Sequence, residues 1–338
     1  MKISPVFTLP DTMNALVLKA FNIPPEVMQM KVPVANNGEV LIKIDSSPVN
    51  PSDNSFLKGV YSTEKPLPVI PGFEASGTVV ATGHDFMSKR LMGRKVSCFA
   101  PTDGNGTWAE FMVTKNRLVI PLKKNVSLEQ GSMLLVNPIS VIAMLDIAKK
   151  GKHKAIANTA AASALGQLMN HVCIDKNIPI INIVRREDQV ELLKSQGAKY
   201  VVNSSSKSYN EDISKLFSDL KVTIAFDAIA GQSAYELMEA LPNGGEVMVY
   251  GGLSEQPALA NPGKLIFENK KLSGFWLSEW ISRQSLPRML RIFNKIQKMI
   301  AYEHQTTIQE RVSLEHTVDG ISKYLENMTA GKILVQPG

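Results

Sequence analysis

Apolar positions in the first third of the chain fall into short β-type runs, at residues 15–18, 39–44, 77–81, 95–99 and 109–113, cut apart by Pro and Gly. This pattern predicts a small β-rich domain. Around Ser127 the texture changes to longer helical patterns over 128–135 and 141–148, which marks a domain boundary. From Lys154 onward strand-like runs at 155–158, 180–184, 200–202, 222–226, 246–250 and 272–276 alternate with helical stretches. That alternation predicts an α/β domain, a doubly wound parallel sheet with helices on both faces. Its first helix sets Leu165, Leu168, Met169, Val172 and Cys173 at helical spacing, a stripe suited to packing on the sheet. A helix over 286–299, a β-type run at 309–314, a further helix and a last strand at 332–335 form a tail suited to completing the first domain. The serines at 204–206 read as a loop.

Length supports the division, because 338 residues exceed what one compact core usually organises and fit about two domains. Hydrophobic residues at 44% and charged residues at 20% describe an ordinary globular chain. A net charge of +6 is spread among acids without a dense basic block, so neither nucleic acid nor a membrane is expected as partner. A small anionic or phosphorylated ligand suits it better. The opening 20 residues lack an apolar run of signal-peptide length, and no stretch approaches the roughly 20 apolar residues of a membrane span, which leads to the expectation of a cytoplasmic protein. The two cysteines, Cys98 and Cys173, are too few for a disulfide framework or a four-cysteine zinc site.

Candidate chemistry begins where the first sheet strand runs into Thr159-Ala160-Ala161-Ala162-Ser163-Ala164-Leu165-Gly166. A turn of this kind brings pyrophosphate to backbone N–H groups at a helix N-terminus. Against G-x-G-x-x-G, Ala161 and Ser163 replace the first two glycines and Gly166 remains, so a small-residue turn chosen for packing is the alternative. The next strand ends in Val184-Arg185-Arg186. An acid there would bind the ribose hydroxyl of NAD, whereas arginine can pair with the 2′-phosphate of NADP. Surface pairing of the arginines with Glu187 and Asp188 is the competing explanation. Tyr250-Gly251-Gly252 ends the fifth strand, either as a close approach to cofactor or as a plain turn.

Further motifs stand in a consistent order: Val49-Asn50-Pro51-Ser52-Asp53, Gly59-Val60-Tyr61, Pro71-Gly72-Phe73-Glu74-Ala75-Ser76-Gly77, Gly106-Thr107-Trp108, Val136-Asn137-Pro138 and Met144-Leu145. In the second half Ser163, Leu165-Gly166-Gln167, Val184-Arg185, Tyr250-Gly251-Gly252, Gly274-Phe275-Trp276-Leu277 and Trp280 continue it. Together they resemble the zinc-free medium-chain dehydrogenase/reductase family, and within it the 2-enoyl thioester reductases, with quinone oxidoreductases as relatives. The resemblance implies a GroES-like β-rich catalytic domain over 1–126 and 299–338, a Rossmann NADPH-binding domain over 127–298, and a homodimer joined through the nucleotide-binding domains.

Zinc alcohol dehydrogenases share the implied fold, and their catalytic metal needs Cys where this chain has Asn50 and His where it has Phe73, so no metal is expected. Without that Lewis acid, conjugate reduction is the less demanding reaction: hydride from NADPH reaches the β-carbon of an unsaturated carbonyl, and the enolate needs only hydrogen bonding and a proton. By resemblance Tyr61 is the catalytic phenol, and Asn50, Asp53 and Trp276 position substrate. On the residues alone Tyr61 reads first as an aromatic packing a loop, and Asn-Pro-Ser-Asp as a turn or helix start. The resemblance implies cofactor contacts at Asn137, Ala162, Ser163, Ala164, Leu165, Arg185, Arg186, Tyr250, Gly251, Gly252, Leu253, Phe275, Trp276, Leu277 and Lys332. For Lys332 an ordinary turn before an edge strand is the alternative, and for Phe275, Trp276 and Trp280 a buried aromatic cluster.

The chain departs from the enoyl reductases at Ala162, where they tend to carry Asn, at Ala164, where they tend to carry Gly, and at Ile139-Ser140-Val141, where Leu or Cys, Thr and Ala are usual. Three functions follow as expectations: NADPH-dependent reduction of a 2-enoyl thioester, reduction of a quinone or enone on the same fold, and a non-catalytic nucleotide-binding protein motivated by the altered phosphate turn.

Overall fold

A computed structural model describes residues 9–61 and 65–338; residues 1–8, part of the opening segment read above, lie outside it. Strands β1 (Thr12–Val17), β2 (Glu26–Lys31), β3 (Glu39–Pro48), β4 (Glu74–Thr82), β5 (Lys95–Phe99), β6 (Phe111–Lys115) and β7 (Val119–Pro121) occupy the first third. Six more follow: β8 (Ala155–Asn158), β9 (Ile180–Val184), β10 (Tyr200–Asn203), β11 (Val222–Asp227), β12 (Glu246–Val249) and β13 (Lys271–Gly274). The tail adds β14 (Ile308–Val312) and β15 (Lys332–Val335). The chain divides into two compact units, 1–136 with 293–338, and 137–292.

In the first unit β3 is central, hydrogen-bonded to β4, β6 and β15, so apolar side chains on both of its faces are buried. Val40, Ile42 and Ile44 pack on one face with Ala75, Val79, Val96 and Met112. Leu41, on the other face, joins Trp108, Phe111, Ile321, Tyr324, Ile333 and Val335. The tail thus completes the first unit's core, each fully buried aliphatic side chain contributing about 1.5–3 kcal/mol. The boundaries lie at 136/137 and 292/293 rather than 126/127 and 298/299. At the first, the helix Leu128–Ser132 packs on β4, where Ser76 Oγ donates to Leu128 O at 2.6 Å. At the second, Gln297 accepts from Lys123 N at 2.8 Å and donates to Pro121 O at 3.3 Å.

The second unit is a parallel six-stranded sheet in the order β10-β9-β8-β11-β12-β13. Its inner strands are near-continuous buried runs because helices cover both faces; every residue of β8 and β9 is buried. Strand order reverses between β8 and β11, and a crevice at the carboxyl ends of such a pair is where open α/β sheets take ligands. β13 forms an edge. Among the described residues no helix is long and apolar enough to cross a membrane.

Candidate functional site

In the first unit, β3 leads to Asn50, whose extended backbone (φ −116°, ψ 154°) opens the helix Pro51–Leu57. Pro51 takes the first helical position, where a missing N–H costs nothing. Asp53 reaches back so that Oδ2 accepts from Asn50 N at 2.7 Å, which resolves the Asn-Pro-Ser-Asp alternative as a helix start. Both residues are buried, and Asp53 Oδ1 has no hydrogen-bond partner. Burial, opposed by the Asn50 N–H and the Lys332 charge, pushes the Asp53 carboxyl up to about 7.

Asn50 is also the middle of a buried polar chain. Its Nδ2 donates to Glu74 Oε1 at 3.1 Å, and Glu74 Oε2 accepts from Leu135 N and Val136 N at 3.1 and 3.0 Å. On the other side Lys332 Nζ donates to Asn50 Oδ1 at 2.5 Å, Val49 O at 2.8 Å and Tyr324 Oη at 3.2 Å. An ammonium has three N–H donors, so these partners exhaust it. Lys332 is therefore an internal counter-ion for Glu74 and Asp53, and as a cofactor contact it would have no donor left. Burial still raises Glu74 above its usual range. Glu74 and Lys332 as a pair escaped the sequence reading; the only signal was a carboxylate inside an otherwise small and apolar run.

A catalytic zinc does not fit here. Phe73 has no ligand atom, the Asn50 amide is committed to Glu74 and Lys332, and the ammonium already brings positive charge to the carboxylates.

Tyr61 follows the same helix. It is half-buried, its ring centroid 4.9 Å from that of Phe73 at a tilt of 41°. Phe73 meets Phe56 edge-on at 5.8 Å, and Phe56 meets Phe21 at 6.2 Å. Loop packing and a poised phenol are thus compatible: the aromatic row fixes the ring that carries the hydroxyl. Asn50, Asp53 and Tyr61, picked out from sequence, are brought together around one short helix.

The second unit assembles the nucleotide candidates at the carboxyl edge of its sheet. Ser163 caps the helix Ala164–Asp175, its Oγ accepting from Gly166 N at 3.2 Å. Ala164 and Leu165 form the first turn, where a helix leaves N–H groups unpaired. Gly166 is required by packing, since a Cβ there would lie 2.5 Å from Ala161 O. Ala161 and Ala162 are buried with Val184, Val190 and Leu193, so Ala162 can offer a ligand its backbone only. Ala160 holds φ 47°, a left-handed conformation that costs an alanine about 1 kcal/mol and gives the turn its tight entry.

Thr159 and Asp227 brace this turn and were missed because polar residues at strand ends read as loop. Thr159 Oγ1 donates to Asp227 Oδ1 at 2.7 Å and accepts from Ala228 N at 2.8 Å, tying the ends of β8 and β11 together at the reversal of strand order. Tyr250 Oη donates to buried Asn158 Oδ1 at 3.1 Å, and burial raises the phenol far above its usual range. Asn158 Nδ2 is buried with no partner, an amide donor held at the strand end. Gly251 lies so close to β11 that a Cβ would come within 2.8 Å of Ala228 O, while Gly252 is open; Leu253 N donates to Ala228 O at 3.0 Å.

At the end of β9 the two arginines part ways. Arg186 pairs with Asp188 (Nε–Oδ1 3.0 Å), as the surface alternative anticipated, whereas Glu187 accepts from Asn203 at 3.1 Å. Arg185 is exposed, and among the described residues its guanidinium has no ion pair. Asn137 and Leu277 are half-buried, the latter opening the helix Leu277–Ser282. Phe275 N bonds Val249 O at 2.8 Å, whereas Trp276 is 48% exposed. Trp280 is buried with the Arg288 guanidinium 5.6 Å above its ring, so it is a packed side chain, whereas Trp276 is not.

Residues 36–124 match the profile of the alcohol dehydrogenase GroES-like domain and residues 164–295 that of the zinc-binding dehydrogenase. The chain is 31% identical over 281 residues to the mitochondrial enoyl-[acyl-carrier-protein] reductase of Caenorhabditis elegans, covering 80% of this chain and 79% of that one. The rat protein of the same name is 30% identical over 295 residues, covering 82% and 76%. A crystal structure of a Mesorhizobium loti protein assigned as an NADPH:quinone reductase superposes with a TM-score of 0.89 at 31% identity, covering 98% of this chain and all of that one.

Proposed function

This chain belongs to the medium-chain dehydrogenase/reductase family of oxidoreductases, in its enoyl thioester and quinone reductase group, and from that premise we propose NADPH-dependent, zinc-independent reduction of a 2-enoyl thioester. The observation that carries it is the arrangement in which Lys332 is the fixed cation on the Asn50 amide and Tyr61 lies on Phe73, a side chain with no ligand atom for a metal. Such a site offers a Lewis-acid metal a poor ligand set and offers an enolate a phenol.

A nicotinamide dinucleotide fits the second unit: Ser163, Ala164 and Leu165 present the helix start to pyrophosphate, Asn158 Nδ2 is an unused buried donor, and Arg185 is available to a 2′-phosphate. When bound it supplies the hydride. The chain's own residues do the rest. Tyr61 donates a hydrogen bond to the carbonyl oxygen as negative charge gathers there, or its proton to the α-carbon. The Phe73–Phe56 row holds the phenol ring. Quinone reduction is the second reading, favoured by the close likeness to the Mesorhizobium loti structure.

NADPH and NADH oxidation followed with crotonyl-CoA, a simple enone and a quinone tests this directly. The thioester should be reduced with the highest kcat/KM; if the quinone is fastest, the thioester reading fails. In the same assay Arg185→Glu should raise the KM for NADPH at least about tenfold, by loss of a charge-assisted pair, and leave that for NADH within about twofold. Equal effects on the two cofactors would remove Arg185 from 2′-phosphate recognition.

The assembly proposed is a homodimer through the edge strand β13. Ile266 and Phe267, just before that edge, are 69% and 84% exposed, an apolar surface that an unpaired strand leaves ready for a second copy. Phe267→Glu should convert a dimer to monomer by light scattering at micromolar concentration. A wild-type monomer at that concentration sinks the proposal.

A further inference from the structure

Gln167 stands in the motif Leu165-Gly166-Gln167, yet the cofactor contacts described above leave it without a task. Both ends of its amide are engaged. Nε2 donates to Ala162 O at 2.8 Å, back across the first turn of the helix Ala164–Asp175, and Oε1 accepts from Gln196 Nε2 at 2.8 Å. Gln196 follows the helix Glu187–Ser195, and its own Oε1 is buried without a hydrogen-bond partner. An unsatisfied buried amide oxygen is costly, so packing alone would favour an apolar side chain there. The carbonyl that this amide pair anchors belongs to the dinucleotide turn. Its peptide is held at both ends, since Ser163 N donates to Ala160 O at 2.9 Å while Ala162 O accepts from Gln167. Ala160, at φ 47°, is in a left-handed conformation that alanine disfavours, so the turn needs anchors from outside itself. Among the described residues the N–H groups of Ala162, Ala164 and Leu165 have no hydrogen-bond acceptor. The helix Glu187–Ser195 also serves the other phosphate candidate, because Gln189 Oε1 accepts from Arg185 N and Arg186 N at 3.1 and 3.2 Å. One helix thus braces the turn from one end and Arg185 from the other.

We propose that Gln167, locked by Gln196, is a positioning residue for the dinucleotide: it ties the Ala162 carbonyl to the helix and so keeps the N–H groups of Ala162, Ala164 and Leu165 open to the pyrophosphate. A carbonyl released from Gln167 is free to turn toward those donors, where it competes for them and repels a phosphate with its partial negative charge. Affinity falls without any direct contact being lost. Gln167 acts through the Ala162 peptide, and Gln196 acts through Gln167; the inference rests on the nicotinamide dinucleotide reading set out above.

Calorimetric titration of the whole chain with NADPH, NADH and adenosine 2′-monophosphate, which carries the 2′-phosphate and no pyrophosphate, tests this. Gln167→Met should raise the Kd of NADPH and of NADH by the same factor, about fivefold to tenfold, the range that one neutral hydrogen bond sets. That equality separates it from Arg185→Glu, which acts on NADPH alone. Gln196→Met leaves the Ala162 bond in place without its lock and should raise both constants about twofold to threefold. The double variant should match Gln167→Met, because Gln196 has no route to the cofactor except through Gln167. Adenosine 2′-monophosphate should bind all three variants within about twofold of wild type, whereas a general loosening of the unit would weaken it along with the dinucleotides. Three results each overturn the proposal: an NADPH Kd in Gln167→Met within about twofold of wild type, losses that multiply in the double variant, or a monophosphate weakened as much as NADPH. Failure of the underlying reading looks different. A wild-type chain that binds neither dinucleotide removes that reading and this inference together, while tight wild-type binding that survives in Gln167→Met removes Gln167 alone.

Discussion

Lys332→Met should destabilise the protein by about 3–5 kcal/mol, the cost of removing one partner from a buried ionic group. Methionine fills the volume and leaves Asp53 and Glu74 buried without their cation, and Asn50 Oδ1 and Val49 O without a donor. The loss should depend on pH in a definite direction. Burial raises both carboxyls in the folded protein, Asp53 to about 7, so the folded state holds protons that the unfolded chain has released, and stability falls as pH rises through that window. Without Lys332 the fall steepens. Urea unfolding at pH 5.5 and 8 should therefore show the larger deficit at pH 8. A deficit below about 1 kcal/mol, or one equal at both values, would mean that Lys332 is not the counter-ion the geometry makes it.

That lysine also shows what a sequence conceals. Gly331-Lys332 precedes a strand and was assigned to the cofactor by resemblance; its burial follows from β15 pairing with β3 across nearly the whole chain, a distance that local pattern does not encode. The parallel sheet, by contrast, was readable almost residue by residue, because β8, β9 and β11 are buried nearly throughout and so are mostly apolar runs, with Asn158, Asn182, Thr223 and Asp227 as their polar members. β2 was not readable since its six residues are exposed or half-buried, and β7 was hidden by its brevity and its Pro121. In the candidate site, Gly166 was legible as the small residue that a tight strand-to-helix turn demands, and Arg185 as an exposed cation at the end of β9. Thr159 and Asp227 were not, because each is meaningful only through the other.

Tyr61→Phe carries the largest effect on turnover. The substitution removes one oxygen and keeps the ring on Phe73, so the aromatic row from Phe21 through Phe56 stays intact and the fold should be unchanged. What disappears is the hydrogen-bond and proton donor that a developing enolate needs, and general acid catalysis of this kind is worth about 10²–10⁴-fold. With crotonyl-CoA, kcat should fall by about 10²-fold or more. The KM for the thioester should move less than about threefold, because the interaction lost strengthens only as charge develops. NADPH affinity, measured by fluorescence, should be unaltered, since the residues that fit the dinucleotide lie in the other unit. A solvent isotope effect on kcat should grow as proton delivery becomes limiting. Turnover within about twofold of wild type would assign Tyr61 to packing alone. A fall seen with the thioester but not with a quinone would instead separate the two reductions on one scaffold, since a quinone's oxygens can be protonated by water, whereas a thioester enolate must be stabilised where it forms.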